Sequence, residues 1–241
     1  MIGCVCAVCQ SANPKNKRLR SSCLFQTEGK NFLVDTGPDL RQQCLTHKIA
    51  RVDAVLITHI HADHVHGIDD LRLYNAIQNA SIPIYSETHT LEHLAKLFSY
   101  IFNPNAEYRT FIPSLTTVPV GPGAFDCLGV PVIQIPCHHG ERWMTYNYRI
   151  GNIAWLTDVS AIPESSYPLL ENLDYLFIDG LRFEPHNTHF TITQAIAEAH
   201  KINAKMTYFM HLSHDYDHDE FNKTLPKNMQ LAYDGLCVTS L

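Results

Sequence analysis

The segment His59-Ile60-His61-Ala62-Asp63-His64 places three imidazoles and a carboxylate within six residues, a density of ligating groups that points to metal chemistry. Alternate residues of an extended chain face one side, so His59 and His61 can share an ion, while Asp63 and His64 lie beyond a turn and reach a second. A dinuclear centre needs more ligands than this. His139, Asp158 and His211 each follow a short apolar run, at the point where a strand would leave its sheet, and His138 competes with His139 for the same role. A carboxylate such as Asp158 can bridge two cations about 3.5–4 Å apart with a shared hydroxide between them, an arrangement that activates water at neutral pH. A separate run, Cys4-Val5-Cys6-Ala7-Val8-Cys9, offers three thiols and needs one more ligand to close a tetrahedral zinc.

These groups need rigid elements to position them. Apolar runs at residues 32–35, 55–58, 130–136, 153–157, 175–179 and 207–210 end at polar or turn residues, the pattern of strands buried in a layered sheet. Helices are expected over residues 67–78, 87–98, 193–199 and 218–223. The third opens with Thr191-Ile192-Thr193-Gln194, a Thr and a Gln at capping-box spacing. Strands and helices alternate without repeats or a Gly/Ser/Pro linker, so the 241 residues, 45% of them hydrophobic, read as one domain of α/β class.

Composition sets limits on partners. A net charge of −6 gives no long-range field for a nucleic-acid backbone, although Lys15, Lys17, Arg18 and Arg20 cluster locally, so nucleic acid is not the expected partner. No export signal precedes Cys4, and no apolar run approaches the roughly 18 residues that cross a bilayer. The expectation is a cytoplasmic protein without a membrane partner, whose eight cysteines are thiols or metal ligands rather than disulfides. Cys23, Cys44, Cys127, Cys137 and Cys237 read as buried thiols. His66 reads as a residue behind the ligands or at the surface. Arg182 and His186 read equally as the lining of a phosphate pocket or as a solvated loop.

The run Thr58-His59-Ile60-His61-Ala62-Asp63-His64 resembles the Thr-His-x-His-x-Asp-His motif of metallo-β-lactamase-fold hydrolases. The resemblance implies a four-layer αββα sandwich. It also implies that His59, His61 and His139 hold one metal, that Asp63, His64 and His211 hold the other, and that Asp158 bridges; His139 is preferred to His138 because Gly140 follows it. The cysteine run looks like that of the PhnP-like phosphodiesterases, where a His three residues after the last catalytic-site His completes a structural zinc; here that is His214 in His211-Leu212-Ser213-His214. Arg18-Leu19-Arg20-Ser21-Ser22, Trp155-Leu156-Thr157-Asp158 and Asn187-Thr188-His189 extend the similarity over most of the chain. By the same resemblance His189 stands beside the metals to bind phosphate or protonate a leaving oxygen, and Asp63 belongs to the catalytic set. Relatives usually carry a strand ahead of the cysteines, so the first strand is expected to be absent or its edge completed by a second subunit in a homodimer.

The expected function is hydrolysis of a small phosphodiester, a cyclic ribose phosphate among the candidates, by a hydroxide activated between two divalent cations (zinc, manganese or iron), with one structural zinc. The alternatives are ribonuclease Z-like, lactonase or thioesterase activity on the same fold, an iron-dependent oxidoreductase, and a zinc scaffold without catalysis.

Overall fold

The computed structural model describes residues 1–105 and 110–240. The described chain forms two sheets with helices, the α/β class expected, and divides into two compact units: residues 20–134, and residues 1–19 with 135–241.

In the first unit a five-stranded sheet runs in the order β1 (Cys23–Thr27), β2 (Lys30–Val34), β3 (Ala54–Leu56), β4 (Ile82–Ser86), β5 (Leu115–Pro119). β1 and β2 form an antiparallel hairpin; β2 to β5 are parallel. Val55, Ile57, Ile82 and Ile84 bury their side chains against Leu71, Leu91 and Leu94 of the covering helices, each buried aliphatic contributing roughly 1.5–3 kcal/mol. Because Val34 pairs with Leu56 in parallel register, the chain leaves β2 and β3 at the same edge, and Asp35 N–H donates to Leu56 O at 3.0 Å. The helix expected at 67–78 begins as a short 3₁₀ turn, Ile68–Asp70, before the α-helix Leu71–Gln78; the helix at Thr88–Leu97 is capped by the Glu87 carboxylate. The hairpin of β6 (Gly123–Cys127) with the start of β7 (Val130–His138) completes this unit.

The second unit carries the end of β7, then β8 (Met144–Ile150), β9 (Ile153–Leu156), β10 (Tyr175–Asp179), β11 (Met206–Met210) and β12 (Met229–Leu231), in the order β12-β11-β10-β9-β8-β7. β9 to β12 are parallel, with Leu156 opposite Ile178 and Asp179 opposite Met210. The residues after these three strands therefore emerge side by side at the carboxyl edge, the usual ligand-binding edge of a parallel sheet. The helix Ile192–Ile202 has the expected capping box at Thr191 and Gln194, and is longer than the sequence pattern indicated. Among the described residues no helix is long and apolar enough to cross a membrane.

Candidate functional site

In the unit of residues 20–134, the ligand-rich segment leaves β3 as an extended stretch and then closes a short helix, Ala62–Val65, so Asp63 and His64 sit in a helical turn. Two glycines let this turn lie on the chain leaving β2. A Cβ on Gly37 would stand 2.3 Å from Asp63 O, and one on Gly67 would stand 2.1 Å from Gly37 O. Thr36 N–H donates to His64 O at 2.7 Å, and Gly67 N–H to Thr36 O at 2.7 Å.

The hydrogen bonds fix which ring nitrogen faces the site. His64 Nδ1 donates to Asp35 Oδ2 at 2.7 Å, since a carboxylate only accepts, and Nε2 is left as the ligand atom. The same oxygen accepts the Thr58 hydroxyl at 2.8 Å, so that hydroxyl accepts from His59 Nδ1 at 3.0 Å and again leaves Nε2 as the ligand atom. His59 Nε2 lies 3.0 Å from His61 Nδ1, and Asp63 Oδ2 lies 3.8 Å from His64 Nε2 and 3.8 Å from Arg20 Nη1. His59, His61, Asp63 and His64 are thus one cluster. Asp35, fully buried at its centre, is pushed above the ordinary carboxylate value by burial, with the imidazole of His64 pulling it back. His66 is exposed, its ring 5.8 Å from that of Phe98.

In the other unit, His139, Asp158, His189 and His211 form a second cluster. Asp158 faces its neighbours with different oxygens: Oδ1 is 3.5 Å from His211 Nε2, and Oδ2 is 3.7 Å from His189 Nε2 and 3.9 Å from His139 Nε2. His139 Nδ1 donates to Thr188 O at 2.8 Å, and His189 Nδ1 to Asp179 Oδ2 at 2.6 Å, so both rings turn Nε2 toward Asp158. Burial pushes Asp179 up, and its bond to His189 opposes this. Gly140 holds a positive φ of 84°, and a Cβ there would stand 3.0 Å from Thr188 Cγ2, which explains the small residue after His139. His138, by contrast, is a strand residue whose backbone pairs with Ala161. His189, which could have been a surface residue at a helix start, is 9% exposed.

Three residues of the two clusters leave their strands in the left-handed region: Asp35 at φ 61°, Asp158 at 57° and His211 at 56°. This costs on the order of 1 kcal/mol each, as it does at turns and helix ends such as Lys48, Asn79 and Asn203. It turns each side chain out of the pleat as the strand ends. Asp158 is further held by the Thr157 hydroxyl on Oδ1 at 2.7 Å, and Thr157 N–H donates to Asn147 Oδ1 at 2.8 Å.

The third cluster is Cys4, Cys6, Cys9 and His214, whose ligand atoms all lie within 4.8 Å of one another. His214 Nδ1 is 3.4 Å from the Sγ of both Cys4 and Cys6, close to the edge of about 3.5 Å that tetrahedral Zn–S and Zn–N bonds require. The Cys6 amide points at Cys4 Sγ (3.5 Å) and the Cys9 amide at Cys6 Sγ (3.4 Å), bonds that favour thiolates. The bond to His214, then the Cys9 amide, brings Cys6 down to about 6. Three thiols and one imidazole, four protein ligands, fit a closed zinc. Arg18 ties the same segments together, donating to Ser213 O at 3.1 Å and Tyr216 O at 2.9 Å.

Sequence reasoning missed Asp35 and Asp179, the carboxylates that orient His64 and His189. Each ends an apolar run, the same signal that singled out Asp158 and His211. Cys127 and Cys137 are buried as expected, and burial pushes both thiols up to about 12, but Cys237 is exposed: it lies in the irregular segment after β12 rather than in the core.

Residues 30–212 match the family model described as the beta-lactamase superfamily domain. A diphosphatase from the PhnP family, known from its crystal structure, is 43% identical with a TM-score of 0.90 over 98% of this chain and 89% of its own. An octanoyltransferase of Porphyromonas gingivalis is 37% identical over 239 residues, 98% of this chain; the chain spans 48% of that protein's length. The short form of human tRNase Z shares the fold, with a TM-score of 0.69 at 18% identity over 91% of this chain and 92% of its own. With the motif around His59, the fold and these likenesses in agreement, the chain belongs to the metallo-β-lactamase superfamily of hydrolases and, within it, to the PhnP family.

Proposed function

We propose that the two imidazole–carboxylate clusters act together as a dinuclear centre, with His59, His61 and His139 on one cation, Asp63, His64 and His211 on the other, and Asp158 between them. The observation that carries this reading is the posture of Asp158. One oxygen faces His211 and the other faces His139, as a carboxylate shared by two cations requires. Two divalent cations held there would neutralise phosphoryl charge and bring water to nucleophilic strength at neutral pH. Imidazole and carboxylate accept zinc, manganese and iron alike.

The reaction we assign is hydrolysis of a phosphodiester or related phosphoryl bond in a small molecule. The chain's own residues supply orientation and a proton. Asp179 holds the His189 ring by Nδ1 and turns Nε2 toward Asp158 at 3.7 Å, where the imidazolium form would protonate a departing oxygen held beside it. The likeness to a PhnP-family diphosphatase supports phosphoryl chemistry. The likeness to an octanoyltransferase covers half of that protein, so acyl substrates serve as the control.

Metal-dependent cleavage of bis(p-nitrophenyl) phosphate tests the reading, beside ester, lactone, thioester and RNA substrates. His61→Ala and Asp158→Ala are expected to lower kcat/KM by at least about 1,000-fold, and His66→Ala by less than about twofold. Equal activity in all three, or turnover of the acyl substrates alone, rejects it. Elemental analysis separates it from a scaffold holding zinc at the cysteines only, and a redox-active absorption band would mark the iron oxidoreductase.

A further inference from the structure

The loop joining β10 to the helix Ile192–Ile202 carries one more imidazole in a built setting. His186 is exposed, and its ring lies 4.9 Å from that of His189. Thr188 N–H donates to His186 Nδ1 at 3.2 Å, with Thr188 Oγ1 3.1 Å from the same nitrogen. A backbone amide only donates, so Nδ1 is an acceptor and the ring proton sits on Nε2, on the far side of the ring.

The loop is braced from both ends. Thr188 O accepts from His139 Nδ1 at 2.8 Å, tying the same residue to the second cluster. Arg182 spends Nε on Glu184 O (3.1 Å) and Nη2 on Pro185 O (2.7 Å), so its donors stiffen the loop from within. Phe183 packs on Tyr216, with ring centroids 4.6 Å apart. An exposed donor held this firmly on a loop beside the site is preorganised for a ligand.

We propose that His186 is a specificity-determining residue that donates Nε2–H to the leaving phosphoryl group, selecting phosphoric anhydrides over simple phosphodiesters. This rests on the hydrolase reading above, in which His189 stands at the departing oxygen. A leaving group held at His189 would extend past the His186 ring, 4.9 Å away, where a diphosphate offers phosphoryl oxygens and a simple ester offers carbon. In the cleavage, water adds to the attacked phosphorus and loses a proton to solvent, while the bridging P–O bond breaks with its electron pair on the leaving phosphate, whose departing oxygen takes the proton of the His189 imidazolium. His186 hydrogen-bonds the remaining phosphoryl charge and keeps its own proton.

The test compares diadenosine diphosphate with bis(p-nitrophenyl) phosphate on the metal-loaded protein. His186→Ala is expected to lower the ratio of the two kcat/KM values about tenfold, the size of one hydrogen bond to a charged group. His186→Gln, whose amide nitrogen reaches the place of Nε2, should restore most of the ratio, and His186→Asn, which keeps only the Nδ1-like acceptor, should not. Nitrogen NMR of the metal-free protein should show His186 as the Nε2–H tautomer. An unchanged ratio in all three variants, or the opposite tautomer, overturns the inference alone. So does a wild type that cleaves only the monophosphate diester, since the phosphodiesterase reading then stands. A wild type that cleaves neither substrate overturns both.

Discussion

The Cys4–Cys6–Cys9–His214 cluster and the Asp158–His189–His211 cluster are both able to hold a metal, yet they are built on opposite plans. The first has three soft sulfurs and one nitrogen, all from the protein, with backbone amides aimed at the sulfurs. Nothing in its ligand count leaves a coordination position open, so its metal can only crosslink. The second offers a hard carboxylate and an imidazole from the strained strand ends at Asp158 and His211, and its His189 ring is oriented by the Asp179 carboxylate. A site that holds the chain together needs ligands and little else, whereas a site poised to react needs ligands, orienters and room.

The most forceful way to break this contrast is to remove a sulfur. Cys6→Ser should displace the proposed zinc and lower Tm by more than about 10 °C, because apparent binding energies of structural zinc approach about 10 kcal/mol or more and much of that is folding energy. At low temperature the variant should keep its metal content elsewhere and its kcat within about threefold, measured by elemental analysis and phosphodiester turnover. Loss of all metal together would show that the two clusters are one cooperative unit and end the comparison. Asp179→Asn sharpens it from the other side. The amide no longer holds the His189 ring as the charged oxygen does, so kcat should fall about 10–100-fold, while Tm, followed by circular dichroism, moves by only a few degrees. Arg18→Ala is the smallest test. Loss of its bonds to Ser213 O and Tyr216 O should cost about 1–3 kcal/mol of stability by urea unfolding and leave kcat unchanged.

The same contrast explains how much could be read from the sequence. His59 to His64 and Cys4 to Cys9 are legible because their ligands are local in sequence, so spacing alone carries the chemistry. His139, Asp158 and His211 needed the strand-end argument together with the family resemblance. Asp35 and Asp179 occupy the same kind of position, but an isolated carboxylate after an apolar run looks alike whether it binds a metal or orients the residue that does. Only the bonds to His64 and His189 tell them apart. The strands containing 32–34, 153–156 and 175–179 were readable from unbroken apolar runs, whereas β8 (Met-Thr-Tyr-Asn-Tyr-Arg-Ile) interleaves polar residues that its neighbours satisfy, and β5 ends in proline at the sheet edge. Polar strand residues of that kind become visible only when their partners are known.

The left-handed turns at Asp158 and His211 carry one more consequence. Glycine adopts that backbone freely, so directed evolution that rewarded only heat resistance would be drawn toward glycine at both positions and would discard a carboxylate and an imidazole there. The side chains at these two bends therefore carry a backbone cost that metal ligation, rather than stability, would offset.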